Sequence, residues 1–182
     1  MYNYSFTKDL QALWLHAVRL YQEGSREPGT YFSPAQVSTL NGMGLGVQEL
    51  YDFAEDFVKY GEPDFGTCLL VNAVRREYFL EEQGGEPSGH KIDMASLPPK
   101  DAEVRGIGWL PRLLPKARAK LRGEMPDDLM YGCGGDRRFF KTHDIHPAEF
   151  LRVVWSAGDN DDAIIDWVQN RIEAQAAPAG AI

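Results

Sequence analysis

Glycine and proline cut this chain into short segments, and inside nearly every segment the apolar side chains recur at three- and four-residue spacing. No stretch of useful length alternates with the two-residue period of a half-buried strand, and no internal repeat is visible. That pattern predicts an all-α fold, a compact multi-helix bundle of about seven or eight helices. Leu10, Leu13, Trp14, Ala17, Val18 and Tyr21 form the first apolar face, stopped by Gly24. The next start is the clearest local signal. Ser33 is a good N-cap, Pro34 suits the first helical position, Gln36 completes a capping box, and Phe32 with Val37 makes a hydrophobic staple. A third helix is expected over 47–60, ended by Gly61, and a fourth from Pro63 towards Gln83. Within the fourth, Cys68-Leu69-Leu70-Val71 is apolar nearly all round and is expected at the centre of the core.

Residues 84–108 break the rhythm with Gly84, Gly85, Pro87, Gly89, Pro98, Pro99, Gly106 and Gly108. Ile92, Met94, Leu97, Val104 and Ile107 give this stretch something to bury, so it reads as a packed loop with a short extended piece near 91–94. It separates an N-terminal helical lobe (1–83) from a C-terminal one (109–173), the two forming one structural domain. The C-terminal lobe holds a helix from Pro111 to Gly123, a short one after Gly134–Gly135, and one opened by Pro147 with His146 as its N-cap. Asp159, Asn160, Asp161 and Asp162 crowd the start of the last helix, where negative charge suits the helix dipole. The tail 174–182 is rich in Ala, Gly and Pro and is expected to fray.

Composition restricts function more than it identifies it. The 182 residues carry a formal net charge of −8, which disfavours non-specific nucleic-acid binding built on phosphate neutralisation. Two cysteines make no disulfide framework and suit a reducing compartment. The longest uncharged apolar stretch, Phe65 to Val74, is far shorter than the roughly 20 residues that cross a bilayer, and no secretory leader is recognisable near the start. A soluble, cytoplasmic protein is expected, with no specific nucleic-acid partner, cofactor or metal.

The best candidate site is the turn Gly132-Cys133-Gly134-Gly135 with Arg137 and Arg138. Free backbone amides at a helix start, joined by two guanidinium groups, hold an anion, and a thiol placed there is activated. The reading preferred from sequence is therefore a non-catalytic helical binding module taking a small anionic ligand, or an acidic partner, at that turn. The alternative is a cysteine-dependent enzyme in which Cys133 is the nucleophile and His143 or His146 the base. A protein-interaction scaffold is the third reading. The pair His143 and His146 matches no zinc signature, because Pro147 starts a new helix beside them. Gly42-Met43-Gly44-Leu45-Gly46 lacks the preceding strand and third glycine of a dinucleotide loop and reads as a hinge. Asp159-Asn160-Asp161 is followed by Ala163 and Ile164, where a calcium loop needs an oxygen ligand and a glycine.

Charge is unevenly placed. The basic helix 111–122 carries Arg112, Lys116, Arg118, Lys120 and Arg122 with no acid, whereas 49–64 holds six acids against Lys59. The basic stems are expected to flank the apolar arc, and the two segments to face each other across the fold.

The stretch WLPRLLPKARAKLRGEMPDDLMYGCGGDRRFF, continuing into HPAEFLRVVWSAGDNDDAIIDWV, resembles a family of small bacterial proteins catalogued only as a domain of unknown function. The resemblance covers roughly residues 107–172. It implies a helical fold and carries no catalytic or binding residue with it. The segment ELYDFAEDFVKYGEP looks like an extension found in some relatives.

Overall fold

The fold follows from where each amphipathic segment finds a cap and a face to bury. In the computed structural model, which describes residues 4–176, eight α-helices form: α1 (Phe6–Gln22), α2 (Pro34–Gly42), α3 (Val47–Tyr60), α4 (Phe65–Glu81), α5 (Leu110–Arg122), α6 (Gly134–Thr142), α7 (Pro147–Ala157) and α8 (Asp161–Ala176). The Ser33 capping box closes as expected, and Gly61 ends α3 in the left-handed conformation that glycine adopts without penalty. Asp64, rather than Pro63, starts α4, its carboxylate accepting the Thr67 amide at 2.8 Å. The two glycines expected ahead of α6 lie inside it, with Cys133 as N-cap. Residues 177–182 of the anticipated frayed tail lie outside the described residues, while Ala174–Ala176 continue α8.

The loop 84–108 is packed, with Leu97 and Ile107 buried. Its extended piece is not at 91–94. Instead β1 (Glu103–Val104) pairs antiparallel with β2 (Ile107–Gly108), and Ile92 donates its amide to the Glu124 carbonyl at 2.9 Å.

α1 lies on α3 and α5 on α7, while α4 packs against both α5 and α7. Through α4 the apolar faces of the two lobes merge into one continuous core. Of the run 68–71, Cys68 and Val71 are sealed in that core, but Leu70 is 44% exposed, because a helix in a bundle keeps one side in water.

The sequence shows no repeat, yet the backbone does. α2 and α6 are both nine residues long and begin one hundred residues apart, at Pro34 and Gly134, and α3 and α7 begin at Val47 and Pro147. The joining turns close with matching bonds, Leu45 amide to Leu40 carbonyl at 3.0 Å and Ile145 amide to Phe140 carbonyl at 2.9 Å. Each turn passes through positive φ one residue earlier, at Gly44 (72°) and Asp144 (47°).

The Asp64 cap makes a direct prediction. The Thr67 amide holds the Asp64 carboxyl below its ordinary value, so its contribution exists above the unfolded pKa and is lost as pH falls through the folded one. Asp64→Ala is expected to cost about 1 kcal/mol in urea unfolding at neutral pH. The gap to the parent should close in acid below 3.8.

Candidate functional site

The glycine-rich turn is assembled around an aspartate. Asp136, in the first turn of α6, is wholly buried and accepts three hydrogen bonds: from Lys116 Nζ at 2.6 Å, the Gly132 amide at 2.9 Å and Trp109 Nε1 at 2.9 Å. Gly135 explains its own identity, because a Cβ there would sit 2.2 Å from the Trp109 ring. Arg137 is committed internally, to Asp56 at 2.5 Å, to the Gly132 carbonyl at 2.8 Å and to Glu62 at 3.4 Å. Of the groups expected to hold an anion, the Arg137 guanidinium and the Gly132 amide thus already have partners. Arg138 is exposed, and α6 begins without a side-chain cap. The surrounding hollow of about 660 Å³ is lined by Cys133, Gly134 and Arg137 on one side and by Asp52, Glu55, Asp56, Glu62, Asp127 and Asp128 on the other. Its field is negative.

Cys133 is half-buried, and its Sγ lies 3.3 Å from Lys116 Nζ. Neither histidine is bonded to it. The His143 ring packs edge-on against Phe139 with centroids 4.7 Å apart, and burial pushes its pKa down. His146 caps α7, its Nδ1 accepting the Ala148 amide at 3.1 Å. The structure therefore does not bring Cys133, His143 and His146 together as a nucleophile and base. The other thiol, Cys68, is sealed in the core, where burial pushes it up to about 12. Among the described residues no group of three or more His, Cys, Asp or Glu side chains is placed to hold a metal ion.

The expected pairing of the basic and acidic segments holds at one point. Lys120 Nζ bonds Glu49 of α3 and also Asn72 Oδ1 at 2.7 Å. Elsewhere the partners differ. Arg118 bonds Asp161 at 2.5 Å, Arg122 lies 3.7 Å from Asp159, and the acids Asp56 and Glu62 take Arg137 instead. Nor do all the basic stems flank the apolar arc of α5. Lys116 and Lys120 are buried within it, since positions 113, 116, 117, 120 and 121 share one helical face.

The residues that sequence reasoning missed lie where the two halves meet. A cleft of about 800 Å³ opens there between the α2–α3 turn, the C-terminal part of α4, residues 85–91 and the end of α5. Glu49, Asp52, Arg75, Lys91, Lys120 and Asp127 are its charged lining. The glycines 42, 44 and 46 form one wall, at the turn that breaks the chain between α2 and α3. Burial would raise the Glu49 carboxyl, but the Lys120 charge and hydrogen bond, with the Gly46 amide, hold it below its ordinary value. Asp52 has no cation beside it. Burial, followed by repulsion from Glu55, Glu49 and Asp56, overrides its hydrogen bond from Gln48 and lifts it to about 7. No local motif announces these groups, because they come from three helices and two loops.

Residues 98–179 match the family model described as a domain of unknown function, DUF5069. The match takes in the β-hairpin and α5–α8, a little under half of the chain, and extends the likeness seen in the sequence at both ends. No curated protein and no solved structure matches the chain. The cleft therefore lies between the matched segment and the first four helices, which the family model does not reach.

Two stability predictions follow from these buried charges. Asp136→Ala leaves the Lys116 ammonium desolvated and unpaired, and should cost about 3–5 kcal/mol in urea unfolding. Replacing the pair together, Lys116→Met with Asp136→Leu, should recover most of that loss. Asp52 acts in the opposite sense. Its folded pKa is raised, so the native state binds the extra proton and stability falls as pH rises from the unfolded value towards 7. Asp52→Asn is expected to stabilise the chain by about 1–2 kcal/mol at pH above 7, and by nearly nothing below 3.8, where Asp52 is protonated in both states.

Proposed function

We propose that this chain is a non-catalytic helical binding module whose ligand seat is the cleft between its two halves. One observation carries the reading: the floor of that cleft holds a buried charged group from each half, Arg75 from the first and Lys120 from the second, with the half-buried Glu49 of the first bonded to Lys120. Charge kept out of water is costly, and its accumulation in a concave site marks recognition. A cleft built from both halves also makes binding depend on the folded whole.

A second reading keeps a small anion at Gly134, Gly135 and Arg138. It is favoured by the uncapped start of α6, whose first amides present the positive end of the helix dipole. The acidic hollow beside it works against this seat. For a cysteine enzyme the supporting geometry is thinner, since Cys133 touches a lysine rather than a histidine. No helix among the described residues is long and apolar enough to cross a membrane. With both cysteines free, we place the protein's work in the reducing cytoplasm.

Hydrogen-exchange mapping with inorganic phosphate, succinate, spermidine and glucose as separate probes tests the seat. The expected result is that at least one probe raises the Tm and protects residues 42–48, 75–79 and 120–129. Protection centred on 133–138 would replace the cleft by the second reading, and a set of probes without effect would overturn both.

A further inference from the structure

Among the described residues Arg75 stands apart from the other buried charges. Its side chain, on α4, is 2% exposed and lines the cleft. Lys116 has Asp136 and Lys120 has Glu49, but among the described residues no carboxylate lies within ion-pair distance of Arg75. Its Nη1 donates to the neutral amide oxygen of Gln83 at 2.8 Å, and its buried Nε has no partner. The carboxylates that act on it from farther away are Glu49 and Glu124. Glu49 is held by Lys120, and Glu124 accepts the Ser88 hydroxyl at 2.8 Å. A desolvated guanidinium without a counter-charge is among the least favourable things a core can contain.

The surroundings keep that guanidinium in place. The Phe79 ring lies on one side, its centroid 5.2 Å from Arg75 Cζ. The backbone of Gly123 also approaches so closely that a Cβ there would sit 2.5 Å from Nη2. Phe79 is itself pressed against Gly44, where a Cβ would lie 2.6 Å from the ring. Two glycines, one in each half of the protein, thus make room for the Phe79 ring and the guanidinium. A ring and a backbone this close restrain the planar fork and leave its unused N–H for a ligand. Val47 and Gln48, in the first turn of α3, line the same cleft and bring the positive end of a helix dipole to it.

Resting on the cleft as ligand seat, we infer that its ligand is a small molecule bearing an oxyanion, a carboxylate or a phosphate, docked on the guanidinium of Arg75. The oxyanion supplies the missing counter-charge and accepts the unused N–H of the fork, as planar guanidinium groups do for both anion types. Lys91 stands at the rim, its Nζ 3.1 Å from the Gly123 carbonyl, as a second cation on the path inward.

The test reads Arg75 directly. Its Nε–Hε resonance, assigned by its disappearance in Arg75→Lys, is followed in nitrogen-15 NMR while the full chain is titrated with inorganic phosphate or with succinate. The expected result is a saturable shift of that resonance with one or both anions, and binding weakened by about tenfold or more in Arg75→Lys, which keeps the charge but loses the fork. Which anion saturates first distinguishes a phosphate from a carboxylate source. Should Arg75→Lys fail to fold, titration of Lys91→Ala, whose exposed side chain is removable, provides the second variant and should weaken binding several-fold. A resonance unmoved by both anions overturns the inference. If spermidine or glucose then perturbs the cleft residues, only the oxyanion is wrong and the cleft remains the seat. If no probe does, the cleft falls with it.

Discussion

The architecture depends on how α5 hides two lysines. A helix whose apolar face is interrupted by Lys116 and Lys120 cannot join a core unless each ammonium meets an acid there. The two acids come from different places, Asp136 from α6 and Glu49 from α3. Their arrival fixes α5 against the rest of the protein more specifically than leucine packing can, since a shift of one helical turn would strand a charge. Lys116 ties α5 to its own lobe and Lys120 ties it to the other. The surface pairs Arg105 with Asp162 and Arg19 with Glu23 are screened by water and contribute little by comparison.

The same constraint explains why the glycine-rich turn is so fully engaged. Asp136 must be buried to serve Lys116, and a buried carboxylate takes every donor within reach. The Gly132 amide and the Trp109 indole are those donors. The glycines at 132 and 135 then follow as consequences, one giving the turn its φ of 90° and the other letting the Trp109 ring lie on the helix. The residues that read as a ligand loop in sequence are to this extent parts of an ion-pair housing.

Local chemistry was legible in the sequence and long-range chemistry was not. The Ser33 box, the Gly61 terminator and the His146 cap depend on neighbours within one or two turns, and each stands where spacing placed it. Lys116 and Lys120 were misplaced because a helical wheel gives an angle, not a depth, and a lysine beside the apolar arc looks the same whether it snorkels or is sealed. Arg75 was invisible for a related reason. In the run Asn72-Ala73-Val74-Arg75-Arg76 two adjacent arginines look alike, and only the arrival of Gly123, forty-eight residues further on, distinguishes the buried one.

The helix–turn–helix of α2 and α3 recurs in α6 and α7. At matching places the two copies carry different chemistry. Gly44 lets the first turn press on Phe79 and so bear on Arg75, whereas Asp144 carries the second turn through positive φ with a side chain in water. Both copies keep a glutamate at the third helical position, Glu49 and Glu149, but Glu49 reaches across to Lys120 of the other half while Glu149 meets Arg171 of its own. The glutamate of the first copy therefore lies in the cleft between the halves, whereas that of the second stays within its own lobe and α6 meets the first half through Arg137 instead. Two stretches of chain with the same turn geometry and different sequences thus carry different side chains to matching places. The uncompensated guanidinium lies beside the copy whose turn retains glycine.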